Sequence, residues 1–299
     1  NGFPNPVPLL EDSNAPPRYA KFGWKGVIAT AHSFGFDASA GELSLTTSVI
    51  PDNQAPNGDQ GLLMMCDNGP GGVEDQPDMS GLTDVDHYAN FMNMLAAPPQ
   101  TPRSGMTGET IFETVGCADC HVNKEYVTLP SPIPALSNVA IKPYSNFLLH
   151  DMGDLGDGIV QGPATEQIMH TRALWGLQNR QSYLHDGRAT GGTFADNMRM
   201  AIEEHVGEGQ ASNDAFFALS VPEQDLMIDF LGSLGRAEFD WERDNDVDEF
   251  DYFFIQPFIT DPVPSHTPDD PGALCDIDQD GDFDLRDFGM LQRGFTGNL

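Results

Sequence analysis

Cys117-Ala118-Asp119-Cys120-His121 sets two thiols apart by two residues and places an imidazole directly after the second. This is the attachment spacing of a c-type haem. The thiols add across two vinyl groups as thioethers, and the adjacent histidine reaches the iron as proximal ligand. The small residues Gly116 and Ala118 leave room for a porphyrin face. Two other readings compete. Half a zinc site needs a second ligand pair at suitable spacing, yet the remaining cysteines, Cys66 and Cys275, stand alone in the chain. A redox dithiol does not call for the trailing histidine. The spacing favours one covalent haem c on Cys117 and Cys120, with His121 on the iron.

A second set of potential ligands lies near the end of the chain. Asp240, Glu242, Asp244, Asp246, Asp248 and Asp251 recur as Asp276, Asp278, Asp280, Asp282, Asp284 and Asp287, at an offset of 36 residues. The match runs on, with Gln256 against Gln292 and Thr260 against Thr296. In each copy the acids fall at the oxygen-ligand positions of a twelve-residue EF-hand-type loop, so two calcium ions are expected. Gly281 sits at the turning position of the second loop, and Asn245 there in the first tolerates the same left-handed backbone. Both loops end in Asp where an EF-hand has Glu. A solvated acidic face would not account for the duplicated spacing.

The elements that must position these groups are read from periodicity and breakers. The 299 residues leave room for about two domains, and 39% hydrophobic content can build a core. Residues 1 to about 80 are rich in Pro, Gly, Asn and Asp and read as irregular structure with short helices. Val85, Tyr88, Met92 and Leu95, with Phe91 beside them, predict a helix over 84–95 that stops before Pro98-Pro99. Residues 98–105 form a linker, and 107–115 a short helix leading into the thiol pair. Residues 122–182 read as long loops that wrap the haem. Helices are predicted over 193–204 and over 222–234, where Ser220 and Glu223 make a capping-box pattern and Leu226, Phe230 and Leu234 line one face. In the tail, 252–258 and 288–295 each follow a loop as one apolar helix. The fold class is therefore mainly α, in three parts: 1–104, 105–238 carrying the haem, and 239–299.

Charge narrows the partners. With 14 basic and 46 acidic residues the net charge is −32, which disfavours nucleic acid and anionic membranes. No apolar run is long enough for a membrane span. The chain begins at Asn1 without Met, as a processed form or fragment would. Covalent haem attachment takes place outside the cytoplasm, so a periplasmic or secreted protein is expected. Cys66 and Cys275 are available to pair, and nothing in the sequence decides whether they do.

Several phrases resemble the family of di-haem oxidoreductases, proteins named as peroxidases or thiol oxidoreductases and related to bacterial di-haem cytochrome c peroxidases. They are Lys21-Phe22-Gly23-Trp24-Lys25, Gly108-Glu109-Thr110-Ile111-Phe112 ahead of the thiol pair, Leu148-Leu149-His150-Asp151-Met152-Gly153, Leu174-Trp175-Gly176-Leu177, and Tyr183-Leu184-His185-Asp186-Gly187-Arg188. The resemblance covers roughly residues 1–236 and implies two cytochrome c-like domains side by side. The family carries two haem motifs, whereas this chain has the second alone. Residues 1–6 resemble family sequence from about its middle, so a second haem is expected in a missing half, with 84–95 closing the first haem domain. The duplicated loop-helix units of 240–297 resemble type I dockerin modules, which bind two calcium ions and dock onto a partner protein. The Pro-rich spacer 262–271 departs from that family.

The resemblance also bears on the histidines. It puts the sixth iron ligand on the helix after His185-Asp186-Gly187-Arg188, where His205 is favoured, then Met200, then Met198. His185 reads as a contact for the haem propionates together with Arg188 rather than as an iron ligand, and both are candidate catalytic groups. His150 beside Asp151 is either a proton relay or a hydrogen-bonded structural pair. Trp24 and Trp175 either relay electrons or pack. His32, His87, His170 and His266 read as ordinary polar residues, although His32 or His87 could reach the absent haem. The function expected is an extracytoplasmic, peroxidase-like c-type haem oxidoreductase whose haem exchanges electrons with a second haem and a redox partner protein. The alternative is a non-catalytic electron carrier held in an extracellular assembly by a docking protein on the calcium module.

Overall fold

The computed structural model of the chain describes residues 2–55, 58–67, 71–95, 106–235, 247–259, 275–276 and 282–295. The linker 98–105, the spacer 262–271, His266 and the first half of each acidic loop, Asp276 excepted, lie outside them. The chain divides into two compact units, one of Asn1–Ala96, Phe147–His150 and Gly158–His170, the other of Ala97–Asn146, Asp151–Asp157 and Thr171–Leu299.

The first unit holds α1 (Ala31–Gly41), α2 (Gln60–Cys66) and α3 (Asp84–Met94) among irregular segments, as its Pro- and Gly-rich composition predicts. Thr30 caps α1 by accepting from Ser33 N–H, and Thr83 with Asp86 forms a capping box on α3. The two helices pack together, with Gly35 of α1 letting Val85 approach closely. The apolar stripe expected on α3 is only partly used. Val85 and Ala89 are buried, whereas Tyr88, Phe91 and Leu95 are exposed. Periodicity names the residues that share a face, but the small-residue face of α1 covers only a narrow part of it. Lys25 is 1% exposed, and its ammonium donates to the carbonyls of Thr165, Glu166 and Ile168 at 2.9, 3.2 and 2.8 Å. All three ammonium protons thus have an acceptor, as burial of a charge requires.

The second unit is built on α4 (Thr107–Thr114), α5 (Phe194–Glu203), α6 (Gln210–Phe217) and α7 (Val221–Ser233). α4 crosses α7, with Gly108 against Leu226 and Phe230. Around this crossing Phe112, Tyr144, Met198, Phe216, Met227, Phe230 and Leu234 form one core, against which Cys117 and Ala118 pack. Thr193 with Asp196 and Ser220 with Glu223 make the capping boxes of α5 and α7. On α7 the buried face is wider than the predicted one. Met227, Ile228 and Leu231 join Phe230 and Leu234, because α5 as well as α4 packs on the helix. Residues 122–182 carry 3-10 turns and short antiparallel ladders such as Tyr126–Val127 with Ala140–Ile141, and no α-helix.

Within this unit the tail has its own small core. α8 (Glu249–Ile255) and α9 (Leu285–Gly294) bury Val247, Ile255, Cys275, Phe283 and Leu291, with the Tyr252 and Phe288 rings 6.0 Å apart. Val247 and Phe283, Tyr252 and Phe288, and Ile255 and Leu291 are counterparts at the 36-residue offset, so the sequence repeat is a structural one. Both helices begin about three residues earlier than predicted. The physical reason is that Asp248 and Asp284 are N-caps, with Asp251 and Asp287 closing the capping boxes.

Candidate haem site

α4 is C-capped by Val115, and Gly116 then takes φ +87°, a left-handed turn that a residue with a Cβ adopts at a cost. A 3-10 turn, Cys117–Asp119, follows, and the His121 N–H donates to the Cys117 carbonyl at 3.0 Å. The helix end thereby folds back and brings both half-buried thiols and the imidazole into one short loop. His121 Nδ1–H donates to the Tyr144 carbonyl at 3.0 Å. That bond fixes the tautomer and puts the ring lone pair on Nε2, the arrangement of a metal-binding histidine.

The thiols argue against the competing chemistries. Burial, then the neighbouring Cys120, pushes the Cys117 thiol up to about 12, and burial also raises Cys120. A redox dithiol needs a lowered thiol pKa. A zinc site needs converging ligands, and among the described residues the one such group is Asp282, Asp284 and Asp287, far along the chain. Two thiols on a tight turn, followed by an oriented imidazole, are a donor set that fits haem c.

The other side-chain candidates separate clearly. His205 follows α5, is half-buried, and donates from Nδ1 to the Ala201 carbonyl at 2.7 Å. Its pKa is lowered by burial, which keeps the ring neutral and able to ligate. Gly209 lies against His205 Cβ and Cδ2 and the Met152 methyl group, so Met152 is a soft side chain near His205 that sequence reasoning passed over. Met200 is 38% exposed and Met198 is packed in the core at 3%. His185, Asp186 and Gly187 form the tip of a hairpin between Ser182–Tyr183 and Ala189–Thr190. Arg188 on that hairpin is engaged by Asp186 at 2.6 Å and Glu204 at 2.7 Å.

His150 is buried in the first unit, its ring lying against the backbone of Gly2. His170, in the same unit, packs on Gly26 and faces Phe147 at 6.0 Å. His32 bonds Asp86 at 2.7 Å and His87 bonds Asp78 at 3.0 Å. Trp24 is 41% exposed, while Trp175 donates to the Lys142 carbonyl at 2.8 Å. Cys66 is exposed at the end of α2, and Cys275 is fully buried in the tail core. Of the calcium candidates, Asp282, Asp284 and Asp287 offer oxygens within 4.8 Å of one another. Asp248, Asp251 and Asp276 are buried, and the remaining six lie outside the described residues.

The family model described as "di-haem oxidoreductase, putative peroxidase" matches residues 10–234. The chain belongs to this di-haem oxidoreductase family. Membership implies haem cofactors and an oxidoreductase role, in keeping with the loop after α4. No curated protein and no solved structure matches the chain. Among the described residues of this di-haem oxidoreductase, no helix is long and apolar enough to cross a membrane.

Proposed function

We propose that this di-haem oxidoreductase carries haem c as thioethers of Cys117 and Cys120, with His121 as proximal ligand. It works in the periplasm or outside the cell, exchanges electrons with a second haem and a redox partner protein, and acts in a peroxidase-like reaction. The observation that carries the reading is the Nδ1–H bond from His121 to the Tyr144 carbonyl, directly after the paired thiols. The crossing of α4 with α7 beside that loop supports a cytochrome c-like unit. Haem supplies one-electron chemistry at iron when bound. The chain's part is to hold it by two thiols, orient the imidazole on one side, and offer His205 as the sixth ligand. His185 and Arg188 are the candidates for the propionates.

The test is a haem stain after denaturing electrophoresis, with a pyridine haemochrome count and a peroxide titration of the native protein. Haem that stays on the denatured chain and is lost from Cys117→Ser and Cys120→Ser supports attachment there. A protein whose six-coordinate iron ignores peroxide is the non-catalytic electron carrier instead.

For the tail the reading is a calcium module resembling type I dockerins. Its support is the structural repeat, in which Asp248 and Asp251 occupy the places of Asp284 and Asp287, beside Asp282 at 5% exposure. Oxygen donors of this kind at EF-hand spacing suit calcium. The exposed groove on α8 and the 3-10 turn after it, lined by Phe250, Phe253, Phe254, Pro257 and Phe258, is the face we assign to a docking protein.

A further inference from the structure

The second unit buries a carboxylate that haem attachment does not use. Glu109, in the first turn of α4, is 8% exposed. Its Oε1 accepts from Asn123 Nδ2 at 2.9 Å and from the Tyr144 hydroxyl at 3.3 Å. A buried carboxylate costs stability even when hydrogen-bonded, and an apolar side chain would fill the same space without that penalty. Its placement therefore calls for another explanation.

Tyr144 links it to the haem loop. The residue is 2% exposed, with its ring edge-on to Phe112 and Phe230 at 6.4 and 5.7 Å. Its backbone takes φ +51°, the left-handed region that a bulky residue enters only under constraint. The constraint is visible on both sides. Trp175 Nε1 holds the Lys142 carbonyl at 2.8 Å, and Leu174 N–H holds that of Pro143 at 3.0 Å. Beyond Tyr144, the Tyr126 hydroxyl holds the Ser145 carbonyl at 3.0 Å, and Asn146 N–H donates to the Cys120 carbonyl at 2.9 Å. At the centre of this strap the Tyr144 carbonyl faces His121 Nδ1.

We propose that Glu109 and Tyr144 are positioning residues for the proximal histidine: the carboxylate fixes the phenol, the phenol fixes its own strained backbone, and that carbonyl sets the strength of the His121 Nδ1–H bond and hence the haem potential. The inference rests on the haem reading above. A stronger Nδ1–H bond makes the imidazole a better donor, which favours ferric iron and lowers the potential.

The experiment uses the full haem-loaded chain and two readouts, the midpoint potential and the solvent-exchange rate of the His121 Nδ1 proton in the reduced state. Tyr144→Phe removes one oxygen and leaves the core filled. It should raise the potential and speed the exchange, whereas Glu109→Gln, which keeps an acceptor oxygen, should hold both at wild-type values. A loaded Tyr144→Phe protein with both readouts unmoved overturns the inference, as does a Glu109→Gln protein that shifts as far as Tyr144→Phe. Should the variants fail to load haem, the wild type decides. A Nδ1 proton exchanging as fast as in free imidazole refutes the proposal, and a protected one supports it. Absence of covalent haem from the wild type removes the haem reading and this inference together, whereas covalent haem with unmoved readouts removes the inference alone.

Discussion

Arg188 donates from Nη1 to Glu204 Oε2 at 2.7 Å, tying the His185-Asp186-Gly187-Arg188 hairpin to the residue beside His205. Both side chains are well exposed, so the pair contributes little to stability. Its effect should be spectroscopic. Arg188→Ala is expected to leave thermal unfolding nearly unchanged and to alter the visible absorption of the haem-loaded protein. An identical spectrum would separate the hairpin from the haem environment.

His205 and Met200 make opposite predictions as sixth ligands. His205 is half-buried with its Nδ1 anchored on Ala201, whereas Met200 is 38% exposed. His205→Ala should convert a low-spin spectrum to a high-spin one or to a weaker-field ligand, and Met200→Leu should leave it as it was. The reverse pattern would give the place to methionine. If both variants stay low-spin, Met152 is the donor to replace next.

Gly108 has no room for a side chain. A Cβ there would overlap the Leu226 carbonyl and lie 2.8 Å from Phe230 Cβ. Gly108→Ala should push α4 from α7 and cost about 2 kcal/mol, as overpacking does. Urea unfolding of the haem-loaded protein measures it, and a loss below a few tenths would show that the crossing yields easily.

Asp86 brings a pH dependence. Its carboxylate accepts from the Thr83 N–H and hydroxyl and from His32, and the Thr83 backbone bond is the largest cause of a pKa held below the usual carboxylate value. A carboxylate whose pKa is depressed by folding adds stability above its unfolded pKa, and that stability fades as pH falls through the folded value. Asp86→Asn should therefore cost about 1 kcal/mol near neutral pH, the size of a helix cap, and almost nothing in strong acid. Parallel melting curves from pH 7 to pH 2 test the convergence.

The tail should respond to calcium. Added calcium is expected to raise the melting of the 247–295 segment, and a chelator to lower it, because an ion bound only by the folded state stabilises it. Asp287→Ala should remove most of the response, since this fully buried carboxylate also closes the α9 cap. Magnesium alone giving the same shift would point to a less selective site.

α4, α5 and α7 were legible in the sequence, α7 through its capping box and apolar spacing, which are local signals, whereas α6 was not, since no side chain caps its start. Ser220 with Glu223 marks the start of α7 in the sequence itself. The exposure of Tyr88, Phe91 and Leu95 was not legible, because a stripe tells which side chains share a face and says nothing of what covers it. Cys117, Cys120 and His121 could be found by spacing alone. Glu109 and Tyr144 could not, since they meet across 35 residues and Tyr144 acts through a backbone carbonyl that any residue type possesses. Met152 escaped for a related reason: its neighbour Gly209 belongs to a turn placed beside it only by the folded chain.

The buried ammonium of Lys25 has a practical consequence. Acylating reagents attack an accessible, unprotonated amine, and this nitrogen is enclosed with its protons given to three carbonyls. It can react only when 165–168 lets go. Among the lysines, then, Lys25 is a built-in clock for the first unit. The rate at which it takes up a mass label counts the openings of that unit, in the intact chain and without any mutation.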